Sequence, residues 1–350
     1  MADSVLVAMS GGVDSSAAAM LLAREGYTVR GMTLRLWSAE DVPLGELQSE
    51  RDAKRVCDQL GIPFSVCDHR DAFRSEVIGA FIRAYENGET PNPCVLCNRR
   101  VKFDCMLREA DALGIDKIAT GHYARVEYDA AAGRYILKKG EDPKKDQSYM
   151  LCDLTQAQLS RVLFPLGLLT KEEIRAIAAE SGIATAAKKD SQDICFIPDG
   201  DYVRFIEETT GKAYPEGDFT DAAGNTLGRH KGLIRYTTGQ RKGLGLALPA
   251  PMYVLQKDTE NNRVILGTNE QLFTSECTVK DVNALSIPAF DAPMRAEVKV
   301  RYSHSASPAW LYPENGKIRV VFDTPQRAIT RGQTAAFYDG DILLGGGKIE

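Results

Sequence analysis

The chain has 350 residues, 44% apolar and 26% charged, which is enough to bury two or three cores and excludes a peptide module or a disordered tail. No apolar run approaches the roughly 18 residues of a membrane span, and the start MADSVLVAMSGG lacks the basic flank and cleavage site of a secretory leader, so a cytoplasmic protein without membrane attachment is expected. A net charge of −5 argues against a general polyanion binder but leaves room for a segregated basic face.

Residues 4–9 read as a short buried strand, Gly11 and Gly12 interrupt it, and 15–24 carry the alanine-rich apolar pattern of a helix. Strands at 27–34 and 63–67 and helices at 49–60 and 71–85 continue the alternation. That order implies an α/β unit with a parallel sheet covered on both faces. A turn-rich connection at 87–93 precedes a helical pattern at 96–113 and a strand at 117–120, and Gly133 marks a hairpin loop. Helical periodicity returns at 171–181 and 201–209. Beyond about residue 211 short strands and turns take over, and from about 272 the alternation at 295–302, 317–323 and 334–338 fits a small antiparallel β-barrel.

The run Ser10-Gly11-Gly12-Val13-Asp14-Ser15-Ser16 lies between the first strand and its helix, where backbone N–H groups and the positive end of the helix dipole converge on an anion. Glycines let the backbone approach phosphates, the Ser10, Ser15 and Ser16 hydroxyls can donate, and Asp14 suits magnesium. The run has neither the lysine and spacing of a Walker A loop nor the third glycine of a dinucleotide fingerprint. SGGVDS after a first strand resembles the PP-loop of ATP pyrophosphatases, which split ATP to AMP and pyrophosphate while adenylylating a substrate.

Eight cysteines in a reducing compartment read as buried apolar groups, metal ligands or reactive thiols rather than a disulfide framework. In TPNPCVLCN, two prolines precede a Cys-x-x-Cys that opens a helix, and the dipole with Arg99 and Arg100 would favour a thiolate at Cys97. Metal or iron–sulfur ligation, a redox dithiol and a pair of buried cysteines all fit that spacing, although no second Cys-x-x-Cys completes a zinc ribbon. Cys195 ends a polar stretch, KKDSQDICFI, that reads as a loop able to close on a substrate.

TPNPCVLCN, ATGHYARV, KKDQSY and KKDSQDICFI, followed by YTTGQRKGLG and a terminal LGGGKIE, stand in the order and rough spacing of the bacterial tRNA-specific 2-thiouridylase family, which the whole chain resembles. The resemblance implies a Rossmann-like PP-loop domain at 1–194, a central tRNA-contacting domain at 195–271 and a C-terminal barrel at 272–350. It assigns ATP to Ala8, Met9, Ser10, Gly11, Gly12, Val13, Asp14 and Ser15, with Leu34 and Gly121 bordering the adenosine. It assigns tRNA to Asn92, Pro93, Cys94, His122, Lys145, Asp146, Gln147 and Gln333, with Arg301 and Tyr302 reaching in from the barrel. The implied reaction is adenylylation of the wobble uridine 2-oxygen in tRNAs for Lys, Glu and Gln. Sulfur then comes from a Cys195 persulfide, loaded by an upstream sulfur donor and assisted by Cys97.

Some relatives carry Asp at the position of Cys94, so here Cys94, Cys97 and Cys195 offer three thiolates that could instead hold a labile iron–sulfur cluster. Basic clusters at 99–102, 138–139, 144–145, 188–189, 229–231 and 241–242 could supply phosphate contacts. Two other classes stay open. A PP-loop synthetase acting on a small metabolite would not need Cys195. The intact loop speaks against a non-catalytic RNA-binding or iron–sulfur carrier protein.

Overall fold

The computed structural model describes residues 3–38, 42–186, 188 and 194–350. Strands β1 (Ser4–Ala8), β2 (Thr28–Arg35), β3 (Phe64–Asp68) and β4 (Lys117–Ala119) pair in parallel. The period of two along β1 divides its buried side chains between two layers. Val5 and Val7 pack with Ala17–Ala19, Val56 and Ile174, whereas Leu6 packs with Phe103, Met106 and Ala110. Strands β5 (Ala124–Asp129) and β6 (Arg134–Lys139) leave as a hairpin, and β7 (Val162–Leu163) returns to the sheet edge, giving the order β3-β2-β1-β4-β7. The chain moves from β1 to β2 on one side and reaches β4 on the other. The crevice at the carboxyl end of β1 is therefore the topological switch point, where open α/β sheets take ligands.

Strands β8 (Gly217–Thr220), β9 (Thr226–His230), β10 (Tyr253–Asp258) and β11 (Arg263–Gly267) form a four-stranded sheet around Phe219, Tyr236, Val254 and Leu266. Strands β12 (Phe273–Ala284), β13 (Met294–Lys299), β14 (Ser307–Glu314), β15 (Lys317–Arg327), β16 (Thr334–Asp339) and β17 (Ile342–Ile349) follow in the order β12-β15-β14-β13-β16-β17. Because β17 also pairs with β12, the barrel is closed and has no free edge. This is the Rossmann-like domain, central domain and antiparallel barrel that the sequence implies.

Two features depart from the sequence reading. The β5–β6 hairpin extends the barrel through Ile342↔Lys138 and Leu343↔Leu137, so residues of the first domain share a core with Tyr338 and Leu343. The helical stretches near 70–86 and 93–112 are also interrupted by π-turns, Arg74–Ile78 and Asn98–Phe103. Among the described residues no helix is long and apolar enough to cross a membrane.

Arg35 is buried and bridges Glu50 at 2.7 and 2.5 Å, while its other N–H groups donate to the carbonyls of Val42 and Pro43. Burial pushes the Glu50 carboxyl up, but Arg35 and the N–H groups of Gly45 and Leu47 outweigh it and leave the group below the ordinary carboxylate range. Stability from this pair is therefore present above the unfolded carboxyl pKa and lost as pH falls through the lower folded one. Arg35→Met strands a buried carboxylate and is expected to cost about 3–5 kcal/mol in urea unfolding at pH 7.

Candidate active site

Gly11 has φ +70°, and a Cβ there would stand 2.2 Å from the Ser49 carbonyl oxygen, so the loop needs glycine at that point. Gly12 caps the helix Val13–Arg24 without any side-chain hydrogen bond, leaving the capping role open to an anion. The Ser10 and Ser15 hydroxyls lie 3.2 Å apart, and Ser15, also expected to donate to phosphate, is buried, gives its proton to the Gly12 carbonyl at 3.2 Å and accepts the Ser10 N–H at 3.1 Å. Ser16, expected to donate to phosphate, is instead buried, giving its proton to the Gly12 carbonyl at 2.8 Å and pairing with Thr185 at 2.9 Å. Met9 and Val13 are core residues of one layer and half-buried Ala8 packs against the other, so these three bring backbone to the loop. Leu34 lies half-buried near the carboxyl end of β2.

Gly121 backs the loop closely: a Cβ there would meet the Asp14 carbonyl carbon and the Ser15 nitrogen, each at 2.9 Å. Gly121→Ala is expected to displace the loop and lower kcat/KM for ATP by about 10²-fold, measured by pyrophosphate release at varied ATP.

Two lysines distant in sequence supply the cation that the loop lacks. Lys171 Nζ reaches the Asp14 carboxylate at 2.7 and 2.9 Å, and the Tyr123 hydroxyl donates to the same carboxylate at 2.8 Å. Lys188 Nζ donates to the Gly11 carbonyl and to Asp52, both at 2.9 Å. Lys171 was invisible in the sequence because it stands 157 residues from its partner.

The cysteine pair lies on Pro93–Cys97, where Pro93 occupies the first turn and Asn92 accepts the Cys94 N–H at 3.2 Å. Cys94 and Cys195 are exposed and Cys97 is buried. Phe196 anchors the neighbouring Cys195 by packing edge-on against Phe73 and Phe81, at ring separations of 5.5 and 5.3 Å. Cys97 belongs to the same aromatic cluster. Desolvation pushes all three thiols up, Cys97 to about 12, with Cys195 and Cys94 adding to the rise at Cys97 and Cys94 to that at Cys195.

The sequence expectation that Arg99 and Arg100 would favour the thiolate is therefore corrected. Arg99 is bound to Asp153 at 2.6 Å, and Arg100 lines a separate cleft with Ser75, Glu76 and Asp104. Lys102 is the cation that lowers the pKa of each of Cys94, Cys97 and Cys195. The i to i+5 spacing of the π-turn carries it round toward the thiols, and the Asn98 side chain, itself tied to the Met150 carbonyl, holds it at 2.8 Å. Among the described residues no group of three or more His, Cys, Asp or Glu side chains is arranged to hold a metal ion.

Residues 120–123 lie against the phosphate loop and share the charge of Lys102 with the thiols. Gly121 lies against the loop, Tyr123 holds Asp14, and His122 stacks on Phe103 at 5.9 Å with Nδ1 2.7 Å from the Thr120 hydroxyl. Burial, reinforced by Lys102, keeps His122 neutral well below its ordinary range. Gln147 clasps this segment, accepting the Tyr123 N–H at 3.1 Å and donating its own to the Tyr123 carbonyl at 2.9 Å. Asp146 holds the turn through Gly140 N, Ser148 N and Ser148 Oγ, beside Lys145. Gln333 donates to the Thr90 carbonyl at 2.8 Å, docking the barrel against the segment that leads to Asn92. Arg301, expected to reach toward RNA, instead spans the central domain and barrel by bonding Thr238 O, Ala328 O and Thr330. Tyr302 is 40% exposed.

Several basic clusters are neutralised within the protein: Lys138 by Glu127, Lys188 by Asp52 and Arg229 by Asp218. His230 is buried between the Asn262 carbonyl and the Gly232 N–H, not free for phosphate. Lys189, the other half of its expected cluster, lies outside the described residues.

Residues 3–199 match the tRNA methyl transferase HUP domain, 203–268 the tRNA methyl transferase PRC-barrel domain and 274–349 the aminomethyltransferase beta-barrel domain. The chain is 51% identical to the tRNA-specific 2-thiouridylase MnmA of Acetivibrio thermocellus, covering 99% of both chains. It is 50% identical to that of Heliobacterium modesticaldum over 100% of this chain and 93% of the relative. Identity to the Clostridioides difficile protein is 48%, over 99% and 98%.

Proposed function

We propose that this chain, which belongs to the tRNA-specific 2-thiouridylase family, carries out ATP-dependent 2-thiolation of a tRNA uridine. The observation that carries the reading is one cation, Lys102, acting on three free thiols and on His122, whose neighbours Gly121 and Tyr123 lie against the glycine loop. A methyl transfer would not need those thiols, and a synthetase acting on a small metabolite would not need Cys195.

The uridine 2-oxygen leaves poorly and must first be activated. It attacks the α-phosphorus of ATP, an O–P bond forms, and pyrophosphate departs. The Ser10 hydroxyl, the helix N–H groups and Lys171 would offset the charge that develops on the phosphates. Asp14 is the carboxylate that would hold magnesium, which when bound neutralises phosphate charge. The terminal sulfur of a Cys195 persulfide then attacks C2 and AMP leaves with the oxygen. Cys97, as thiolate, attacks the Cys195 sulfur, breaking the S–S bond to release 2-thiouridine and leaving a Cys97–Cys195 disulfide for an external thiol to reduce. Lys102 favours the anionic sulfur in these steps.

The upstream persulfide donor, the wobble position in tRNAs for Lys, Glu and Gln, and a cytoplasmic setting complete the proposal. The sequence resemblance supports the first two, and the free thiols fit a reducing compartment. The test is pyrophosphate release with unmodified tRNA and with tRNA already 2-thiolated. Release with the first and not the second is expected, and release that is indifferent to tRNA would sink the reading.

A further inference from the structure

The Asp14 carboxylate of the phosphate loop takes hydrogen bonds from the Lys171 ammonium at 2.7 and 2.9 Å and from the Tyr123 hydroxyl at 2.8 Å. Both of these side chains are fastened to the turn that follows β6. Asp142 reaches the first: its Oδ2 accepts the Lys171 N–H at 3.0 Å, at the opening residue of the helix Lys171–Glu180. Gln147 reaches the second, accepting the Tyr123 N–H at 3.1 Å and donating its own to the Tyr123 carbonyl at 2.9 Å. Gly140 packs so closely there that a Cβ would stand 2.9 Å from the same carbonyl oxygen. The Lys171 ammonium lies 5.9 Å from the Tyr123 ring centre, so the two arms converge on the carboxylate they share.

Asp142 is 5% exposed, and each of its oxygens has a separate task. Oδ1 accepts the Lys144 N–H at 2.9 Å, and the carbonyl accepts the N–H groups of Lys145 and Asp146 at 3.1 and 2.9 Å, which shapes the turn locally. Oδ2 ties that turn to the helix. Burial pushes the carboxyl up, but the N–H groups of Lys171, Lys144 and Lys145 outweigh it and leave the group below the ordinary carboxylate range, an anion at pH 7. The helix has its own start besides: Thr170 caps it by accepting the Glu173 N–H, and the Glu173 carboxylate accepts the Thr170 N–H at 2.7 Å. What the Asp142 bond adds is the connection to the turn.

We propose that Asp142 is a positioning residue that couples the 142–147 turn to the phosphate loop, so that RNA held at the turn sets Lys171 and raises the affinity of the loop for ATP. The proposal rests on the tRNA reading above, which gives Lys145, Asp146 and Gln147 to the RNA. Turn, lysine and carboxylate form one hydrogen-bonded unit, so ordering one end orders the other. At equilibrium the effect runs equally in both directions, and bound ATP tightens the hold on RNA by the same factor. Asp142 acts only through Lys171 and the turn, without touching nucleotide or RNA itself.

The test uses the full chain, an unmodified tRNA transcript and α,β-methylene-ATP, an analogue that cannot be cleaved between its α- and β-phosphates. Calorimetry gives the Kd of the analogue with and without saturating tRNA for wild type, Asp142→Asn and Thr170→Ala. Asparagine keeps an oxygen for the Lys144 N–H, but its amide nitrogen cannot accept from Lys171. In wild type tRNA is expected to lower the Kd about tenfold, within the usual range of coupling between two sites. Asp142→Asn should leave the Kd without tRNA within about threefold of wild type and shrink the tRNA effect below about twofold. Thr170→Ala weakens the same helix start but keeps the tie, and should retain the wild-type ratio. If Asp142→Asn melts early, Asp142→Ser supplies the same readout, because its hydroxyl keeps the local turn and is too short for Lys171. A wild-type ratio in folded Asp142→Asn overturns the coupling alone, as does an equal loss in Thr170→Ala or a wild-type Kd that ignores bound tRNA. A wild type that binds no tRNA overturns both the coupling and the reading beneath it.

Discussion

Cys195→Ser is expected to cut 2-thiouridine formation below about 1% of wild type while a first turnover of tRNA-dependent pyrophosphate release persists, because loss of a nucleophile removes one chemical step and leaves the adenylylating half intact. The structure separates the two halves. Ser10, Ser15, Asp14 and Lys171 surround the phosphate loop, whereas Cys195 is fixed by Phe196 in the aromatic cluster that contains Cys97. Cys97→Ser should stop the reaction later, with tRNA joined to Cys195 through a disulfide. That adduct would be seen on a non-reducing gel and released by a thiol reductant. Pyrophosphate release lost together with thiolation in Cys195→Ser would contradict this division.

The second large effect concerns Lys102. Burial pushes Cys97 to about 12, so in the free protein the thiol is protonated at pH 7 and its thiolate fraction grows tenfold with each unit of rising pH. Alkylation of Cys97 by iodoacetamide should therefore climb between pH 7 and pH 10 without a plateau. Lys102 is the cation acting against that burial, and Lys102→Met should move the profile further upward and slow thiolation at pH 7 by about tenfold, the equivalent of one pKa unit. Lys102→Arg keeps the charge and should recover much of the rate. A Lys102→Met profile that superimposes on wild type would remove Lys102 from the account.

The features legible in the sequence are the local ones. The phosphate loop, its strand and its helix lie within residues 4–24, so periodicity and two glycines suffice to read them. The proline-led Cys-x-x-Cys is equally compact. The missing parts depend on distance or on irregular backbone. Lys171 meets Asp14 across 157 residues, and Leu137 pairs with Leu343 across a domain boundary that alternation alone cannot cross. Lys102 faces the thiols through a π-turn, whereas ordinary helical spacing draws the eye to Arg99 and Arg100. The resemblance gives Asp146, Gln147 and Gln333 to tRNA, yet here their polar atoms hold backbone in place. Their hydrogen-bond partners are set by tertiary packing, which a motif does not record.

The most direct test of thiolation itself is anaerobic incubation of the protein with ATP, magnesium, a persulfide or sulfide source and unmodified tRNA, followed by mass spectrometry of the digested nucleosides. The account predicts 2-thiouridine that requires ATP and vanishes in Cys195→Ser. Wild-type protein that forms no 2-thiouridine while releasing pyrophosphate with another substrate would contradict it.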